Sequence, residues 1–166
     1  MKKVACVGIL VADVIVGTVN EYPEKGQLVP VNSITIHNGG NAMTASINLR
    51  KMGVETKIIG KVGNDVFGGY LKNCLDESGV DTSGLKRDNT VQTSASVLLV
   101  DSMGERSFFH TTGSNAVFSI TDIDFDVINE ECFLCIYENG VEILQEKTPY
   151  WNNRIDEVLF MESEIL

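Results

Sequence analysis

The sequence predicts an α/β layer fold, and three features point to it. Lys3–Leu10 is a continuous apolar run, as expected of a parallel strand covered on both faces. A strand–helix–strand unit follows and closes near Gly60. A second helical pattern, Asp65–Ser78, comes directly after it, so strands and helices alternate rather than cluster. At 166 residues the chain is long enough for one domain with a sizeable core.

Taken in order, the segment from Asp13 to Ile36 is strand-like but more polar. It is interrupted by Glu21-Tyr22-Pro23-Glu24-Lys25-Gly26, a clear turn. Val29 and Val31 fall in one phase and Ile34 and Ile36 in the other, which predicts a bulge. The stretch from Gly39 to Gly63, GGNAMTASINLRKMGVETKIIGKVG, organises the rest. Ala42, Ala45, Leu49 and Met52 share one face of a helix, Asn38 or Asn41 can cap its start, and Gly53 sits where a left-handed residue ends it. A glycine pair ahead of a helix lets a ligand approach the backbone and meet the N–H donors there; it also serves as a plain turn onto a core helix. Glu55–Gly60 reads as a short buried strand.

The second helix carries the stripe Val66, Phe67, Tyr70, Leu71, Cys74 and Leu75 and ends at Gly79. Thr93–Asp101 and Arg106–Thr111 read as a hairpin joined by Ser102-Met103-Gly104-Glu105. Thr121 looks like an N-cap, with Asp122 and Asp124 in the first turn of a short helix to about Asn129. Further on come a candidate hairpin around Asn139-Gly140, a polar patch from Pro149 to Arg154, and a short amphipathic end at Ile155, Val158 and Leu159.

Composition narrows the function classes. Hydrophobic residues at 43% and charged residues at 22% are ordinary for a globular protein, and no run of eighteen apolar residues predicts a membrane span. The Met-Lys-Lys start followed by VACVGILVADVIVG imitates a secretory signal, but Asp13 breaks the run, which reads as a buried first strand. A formal charge of −10 and a pI near 4.6 argue against binding nucleic acid or anionic membrane through a basic surface. Cys6 and Cys74 lie inside apolar patterns and read as buried thiols. Cys132-x-x-Cys135 has redox or zinc spacing, but there is no second pair and His37 and His110 are distant in sequence, so no metal is expected. A cytoplasmic location is the default for such cysteine usage.

The spacing of Gly39, Gly40, Ala42, Ser46, Gly53 and Gly63 resembles the first signature of the ribokinase-like, or pfkB, family of carbohydrate kinases. Thr44 stands where that pattern usually has asparagine. VACVGILVADVIV, IGKVGNDVFGGYL, SGVDTSGL and TSASVLLVDSMGERSFFHTTGSNA resemble further family blocks in the same order, covering about Lys3 to Phe118. The resemblance implies a truncated ribokinase-like sandwich: a parallel-sheet βαβ core with a small β-sheet lid, whose strands lie near residues 13–36 and 93–111. Residues 1–130 then form the N-terminal part of the kinase domain, and residues 131–166 form a divergent tail without family match.

By the same resemblance, Asp13, Gly39, Gly40, Asn41 and Thr44 hold the substrate, a sugar or sugar derivative. Asp13 follows the first strand at the carboxyl edge where open α/β sheets bind ligands, and its carboxylate suits paired hydroxyls. Threonine at position 44 is shorter than asparagine and lacks its amide, which changes affinity or substrate choice there. Arg106, His110 and Asn115 could also face the substrate, and Arg106 would suit an acidic or phosphorylated sugar. The family uses ATP and Mg2+, and its catalytic part is a later Gly-Ala-Gly-Asp loop that activates the sugar hydroxyl and forms an anion hole. No such run occurs in these 166 residues. The expectation is therefore a substrate-binding part with no catalytic residue, little affinity for ATP or Mg2+, and a homodimer contact through the lid. Two other classes stay open: a non-catalytic sugar-binding or dimerising module, and a gene fragment without function.

Overall fold

The computed structural model describes residues 3–124 together with the strands Cys132–Ile136 and Val158–Phe160. Strands β1 (Lys3–Val7), β4 (Thr56–Gly63), β5 (Asp81–Asp88), β8 (Cys132–Ile136) and β9 (Val158–Phe160) form one sheet in the order β5-β4-β1-β8-β9. Every pairing in it is parallel. Strands β2 (Val11–Gly17), β3 (Ser33–Gly39), β6 (Ala95–Val100) and β7 (Arg106–Thr111) form a second, mixed sheet in the order β3-β2-β6-β7. Helices α1 (Asn41–Lys51) and α2 (Val66–Glu77) complete the βαβ units. The α/β class and the two-sheet layout are those predicted.

The core lies between the parallel sheet and the two helices. Cys6, Leu10, Ala42, Met43, Ile58, Val62, Leu71 and Leu75 are all fully buried in it. Two short 3-10 turns, Gly113–Val117 and Ile120–Asp122, follow β7. Lys61 of β4 holds them, with its Nζ 2.9 Å from the Val117 carbonyl and 2.8 Å from the Asp122 carboxylate.

Several boundaries differ from the expectation, each for a local reason. The first strand ends at Val7, because the chain leaves the parallel sheet at Gly8 and enters β2 at Val11. Asp13 thus lies inside β2 and not just beyond the first strand. The register from Val11↔Gly39 to Gly17↔Ser33 is unbroken, so there is no bulge; the change of phase marks the start of β3 at Ser33. Helix α1 buries Ala42, Met43, Ser46 and Ile47, whereas Met52 is 77% exposed because it is the C-cap residue, past the last turn. Its N-cap is Gly40, with neither Asn38 nor Asn41 capping through a side chain, and Gly53 takes the expected left-handed backbone at φ 85. In α2, Val66 is exposed, since the buried line runs Gly68, Leu71, Leu75.

The turn expected to start at Thr121 starts instead at Ser119, whose capping box with Asp122 satisfies two backbone N–H groups at its start. Residues 125–129 of that expected helix, the Asn139-Gly140 hairpin and the patch at 149–154 lie outside the described residues. Strand β5 was not foreseen: its sequence, DTSGLKRD, is polar because it forms the sheet's edge.

One carboxylate ties the two sheets together. Asp65 caps α2, accepting the Gly68 N–H at 2.8 Å, and also accepts the Thr93 N–H and hydroxyl at 2.7 Å each. The fully buried Thr93 hydroxyl in turn accepts the Gly63 N–H at 2.9 Å. Burial pushes the Asp65 carboxyl up, but the donors from Gly68 and Thr93 outweigh it and leave it below the usual carboxylate range. A lowered folded-state pKa stabilises above the unfolded-state value, and that contribution is lost as pH falls through the folded value. Asp65→Ala should therefore cost about 2–4 kcal/mol of unfolding free energy near neutral pH. Asp76→Ala, which removes the exposed Lys72 pair and an exposed hydrogen bond from the Thr82 hydroxyl, should cost a small fraction of that. Urea denaturation measures both, and the deficit of the Asp65 variant should narrow as pH drops toward about 3.

Candidate functional site

The second sheet sets four polar residues in one cross-strand row. His37 on β3 pairs with Asp13 on β2, Asp13 with Ser96 on β6, and Ser96 with His110 on β7. Directly opposed residues point to the same face, so these side chains form a line about 14 Å long at the usual strand spacing. Ser96 Oγ lies 3.0 Å from His110 Nδ1, and Thr35 Oγ1 lies 3.0 Å from His37 Nε2. Ser96 is buried and also hydrogen-bonds to Asp13, while both histidines are exposed. Burial raises the Asp13 carboxyl above its ordinary value; the Ser96 hydrogen bond, and then His110 and His37, pull it back only in part. The row is thus a partly desolvated acceptor with hydroxyl and imidazole groups beside it.

Two glycines bring the start of α1 against this carboxylate. A side chain at Gly39 would overlap the Asp13 carboxylate. Gly40 has φ 90, and a Cβ there would run into the Ile9 carbonyl and lie 2.9 Å from Leu10 Cα. Only glycine fits at both positions. Asn41 opens α1, and Thr44, exposed one turn on, donates its N–H to the Gly40 carbonyl at 2.9 Å. The first turn of α1 holds no acidic side chain, so its positive end faces no negative charge of its own helix.

The structure therefore sets Asp13 directly against Gly39, with Gly40 packed on Ile9 and Leu10 next along the chain and Asn41 and Thr44 following on the helix. Arg106 is on the same face as Asp13 but four residues along β7 from His110, at the exposed far end of the sheet. Asn115 lies beyond β7 and contacts the backbone of Leu10. His37 and Ser96 were missed from sequence. The available signal was a polar residue within each alternating strand, in step with Asp13 once pairing is known. On the reverse face, a cleft of about 330 Å³ opens between the sheet and Phe67 of α2, lined by Val14, Val97 and Phe109.

Among the described residues no group of three His, Cys, Asp or Glu could hold a metal ion. No helix among them is long and apolar enough to cross a membrane. Nor do they include a glycine-rich turn followed by an aspartate of the Gly-Ala-Gly-Asp kind that would cradle a triphosphate.

The pattern described as pfkB family carbohydrate kinase matches residues 1–149. The chain belongs to the pfkB family. This pfkB chain is 32% identical over 129 residues to an uncharacterized sugar kinase of Pyrococcus horikoshii; the match covers 76% of this chain and 39% of that one. It is 30% identical over 106 residues to the ATP-dependent ribose-1-phosphate kinase of Halopiger xanaduensis, covering 64% of this chain and 36% of that protein. The structure of Arabidopsis thaliana ribokinase, solved with ribose and ATP, superimposes with a TM-score of 0.81 at 20% identity, covering 97% of this chain and 53% of that one. Giardia lamblia ribokinase gives a TM-score of 0.84 at 17% identity, covering 100% and 56%. The chain thus spans about half the length of these solved structures and 39% or less of the two curated relatives named. The family match runs to residue 149, past Phe118, where the blocks read from sequence end.

The raised Asp13 carboxyl has a consequence for stability. The folded state holds this proton more tightly than the unfolded state, so the group's contribution falls as pH rises from the ordinary aspartate value through the raised one. At neutral pH the ionised carboxylate is a net cost. Asp13→Asn should accordingly raise the thermal midpoint at pH 7, by no more than about 3 °C because the group is half-exposed and screened. At pH 3 the variant and the parent should melt alike, and scanning calorimetry at both pH values checks it.

Proposed function

We propose that this pfkB chain is the N-terminal, substrate-binding part of an ATP-dependent carbohydrate kinase, with the binding face held within residues 1–130. The observation that carries the reading is Asp13, a partly desolvated carboxylate set against a gap that only glycine leaves open. In this reading Asp13 accepts hydrogen bonds from adjacent hydroxyls of a sugar, and Gly39 and Gly40 let the ring approach the backbone. Asn41 and Thr44 line the helix side. The relatives include proteins named fructokinase and ribose-1-phosphate kinase, and they support a sugar or sugar phosphate as the class. A cytoplasmic setting belongs to the same reading, as the default for such cysteine usage.

Phosphoryl transfer needs an anion hole and an activating carboxylate placed beside the reacting hydroxyl. These 166 residues hold no Gly-Ala-Gly-Asp run, so in this reading the chain alone binds without catalysing, and ATP with Mg2+ acts on residues it does not contain. With one wall of the pocket, sugar affinity should be about 1 mM or weaker, near −4 kcal/mol or less favourable. NMR titration with hexoses, pentoses and sugar phosphates should show shifts in the parent that disappear in Asp13→Ala. Shifts that persist in the variant would remove Asp13 from the site. ATP turnover by the purified chain should be independent of sugar; sugar-dependent ADP release abolished by Asp13→Ala would overturn the non-catalytic part of the proposal.

A second role, pairing of two copies through the lid, is supported by the apolar residues on its reverse face. Ile34 and Phe109 are 66% and 68% exposed there, beside Ile36 and Val97. Such residues on a solvated sheet are a contact surface rather than a core. Sedimentation velocity should find a concentration-dependent dimer that Phe109→Ser weakens, with the circular dichroism spectrum unchanged.

A further inference from the structure

We infer that Asn115 is a positioning residue for Asp13: it fixes the crossing from the parallel sheet to the lid and so sets where the carboxylate lies against Gly39 and Gly40. The inference rests on the reading of Asp13 as the sugar acceptor. Leu10 is the residue at this crossing, after β1 and before β2, and its side chain is fully buried. Backbone polar groups in such a place need partners. Asn115 supplies both: its Oδ1 accepts the Leu10 N–H at 3.3 Å and its Nδ2 donates to the Leu10 carbonyl at 3.0 Å. A planar amide offers a donor and an acceptor side by side, as a neighbouring strand would. The clamp spans 105 residues of sequence.

The other side of the same crossing is held by Gly40, against which the Ile9 carbonyl and Leu10 Cα pack. Asn115 is itself referred to the parallel sheet. The adjacent Ser114 donates its hydroxyl to the Lys61 carbonyl of β4 at 3.0 Å and its N–H to Gln92 at 2.8 Å, and the Asn115 N–H bonds to Thr112 at 3.0 Å. Asp13 follows Leu10 by three residues in an extended strand, so a displacement of the Leu10 peptide is carried to the carboxylate. The amide thus registers the lid's polar row to the core on which α1 begins.

The test compares Asn115→Ala and Asn115→Asp with Ser114→Ala, all in the full 166-residue chain. The aspartate keeps the shape and the acceptor for Leu10 N–H but turns an acceptor toward the Leu10 carbonyl, so it remains informative where the alanine variant does not fold. Both Asn115 variants should weaken NMR-detected binding of the sugar that titrates best by about tenfold, the scale of one lost hydrogen bond. Ser114→Ala should lower the melting temperature while leaving that affinity within about twofold. Sugar affinity as in the parent for Asn115→Asp, or an equal loss in Ser114→Ala, would overturn the inference. Should the parent bind no sugar, the acceptor reading of Asp13 is what fails, and the carboxyl 13C titration of Asp13 then decides the positioning role without ligand. A titration moved toward ordinary aspartate by the Asn115 variants and not by Ser114→Ala upholds it; an unmoved one ends it.

Discussion

A carboxylate that cannot be fully solvated, set against a residue that can have no side chain, is the constraint on which the site depends. Asp13 sits in the central pair of the lid sheet, and Gly39 leaves just the volume its carboxylate occupies. The backbone of Gly40 then turns directly into α1, at a φ of 90 that other residues rarely adopt. The sheet, the turn and the helix start are therefore fixed to one another by excluded volume as well as by the Asn115 hydrogen bonds to Leu10. That arrangement suits a binding surface, because it positions groups without using up their hydrogen-bonding capacity.

The polar groups divide into two kinds. Asp65 is satisfied by three donors and lies below the usual carboxylate range; Asp13 is short of donors and lies above it. Asp65 caps a helix and Asp13 lies within a strand, and the difference in their state lies in what faces them. Asp65 meets the amides of Gly68 and Thr93 and is fully used in holding the fold. Asp13 meets one hydroxyl and two more distant imidazoles, which leaves lone pairs over. A residue kept in that condition is a common mark of a binding or reacting site.

Much of the architecture was legible in sequence. The glycine pair, the two helical stripes and the alternating hairpin are local signals, and they place α1, α2, β6 and β7 within a residue or two. Where reading failed, the deciding information was not local. β5 is polar because it is an edge, and edges are defined by what is absent alongside. The apolar run from Lys3 to Leu10 looked like one strand because the crossing at Leu10 is itself buried, so the run stays apolar past the end of β1. His37 and Ser96 could not be assigned to the Asp13 row without the register of three strand pairings. Asn115 looked like a lid residue facing substrate, and only the fold shows its amide spent on a backbone 105 residues away.

The chain passes between the two sheets four times: after β1, after β3, after β5 and after β7. Neither sheet is a contiguous stretch of sequence, so neither can be excised, exchanged as a cassette or folded first as an independent unit. Loosening one must loosen the other. A recombination junction placed inside either sheet would cut both layers at once.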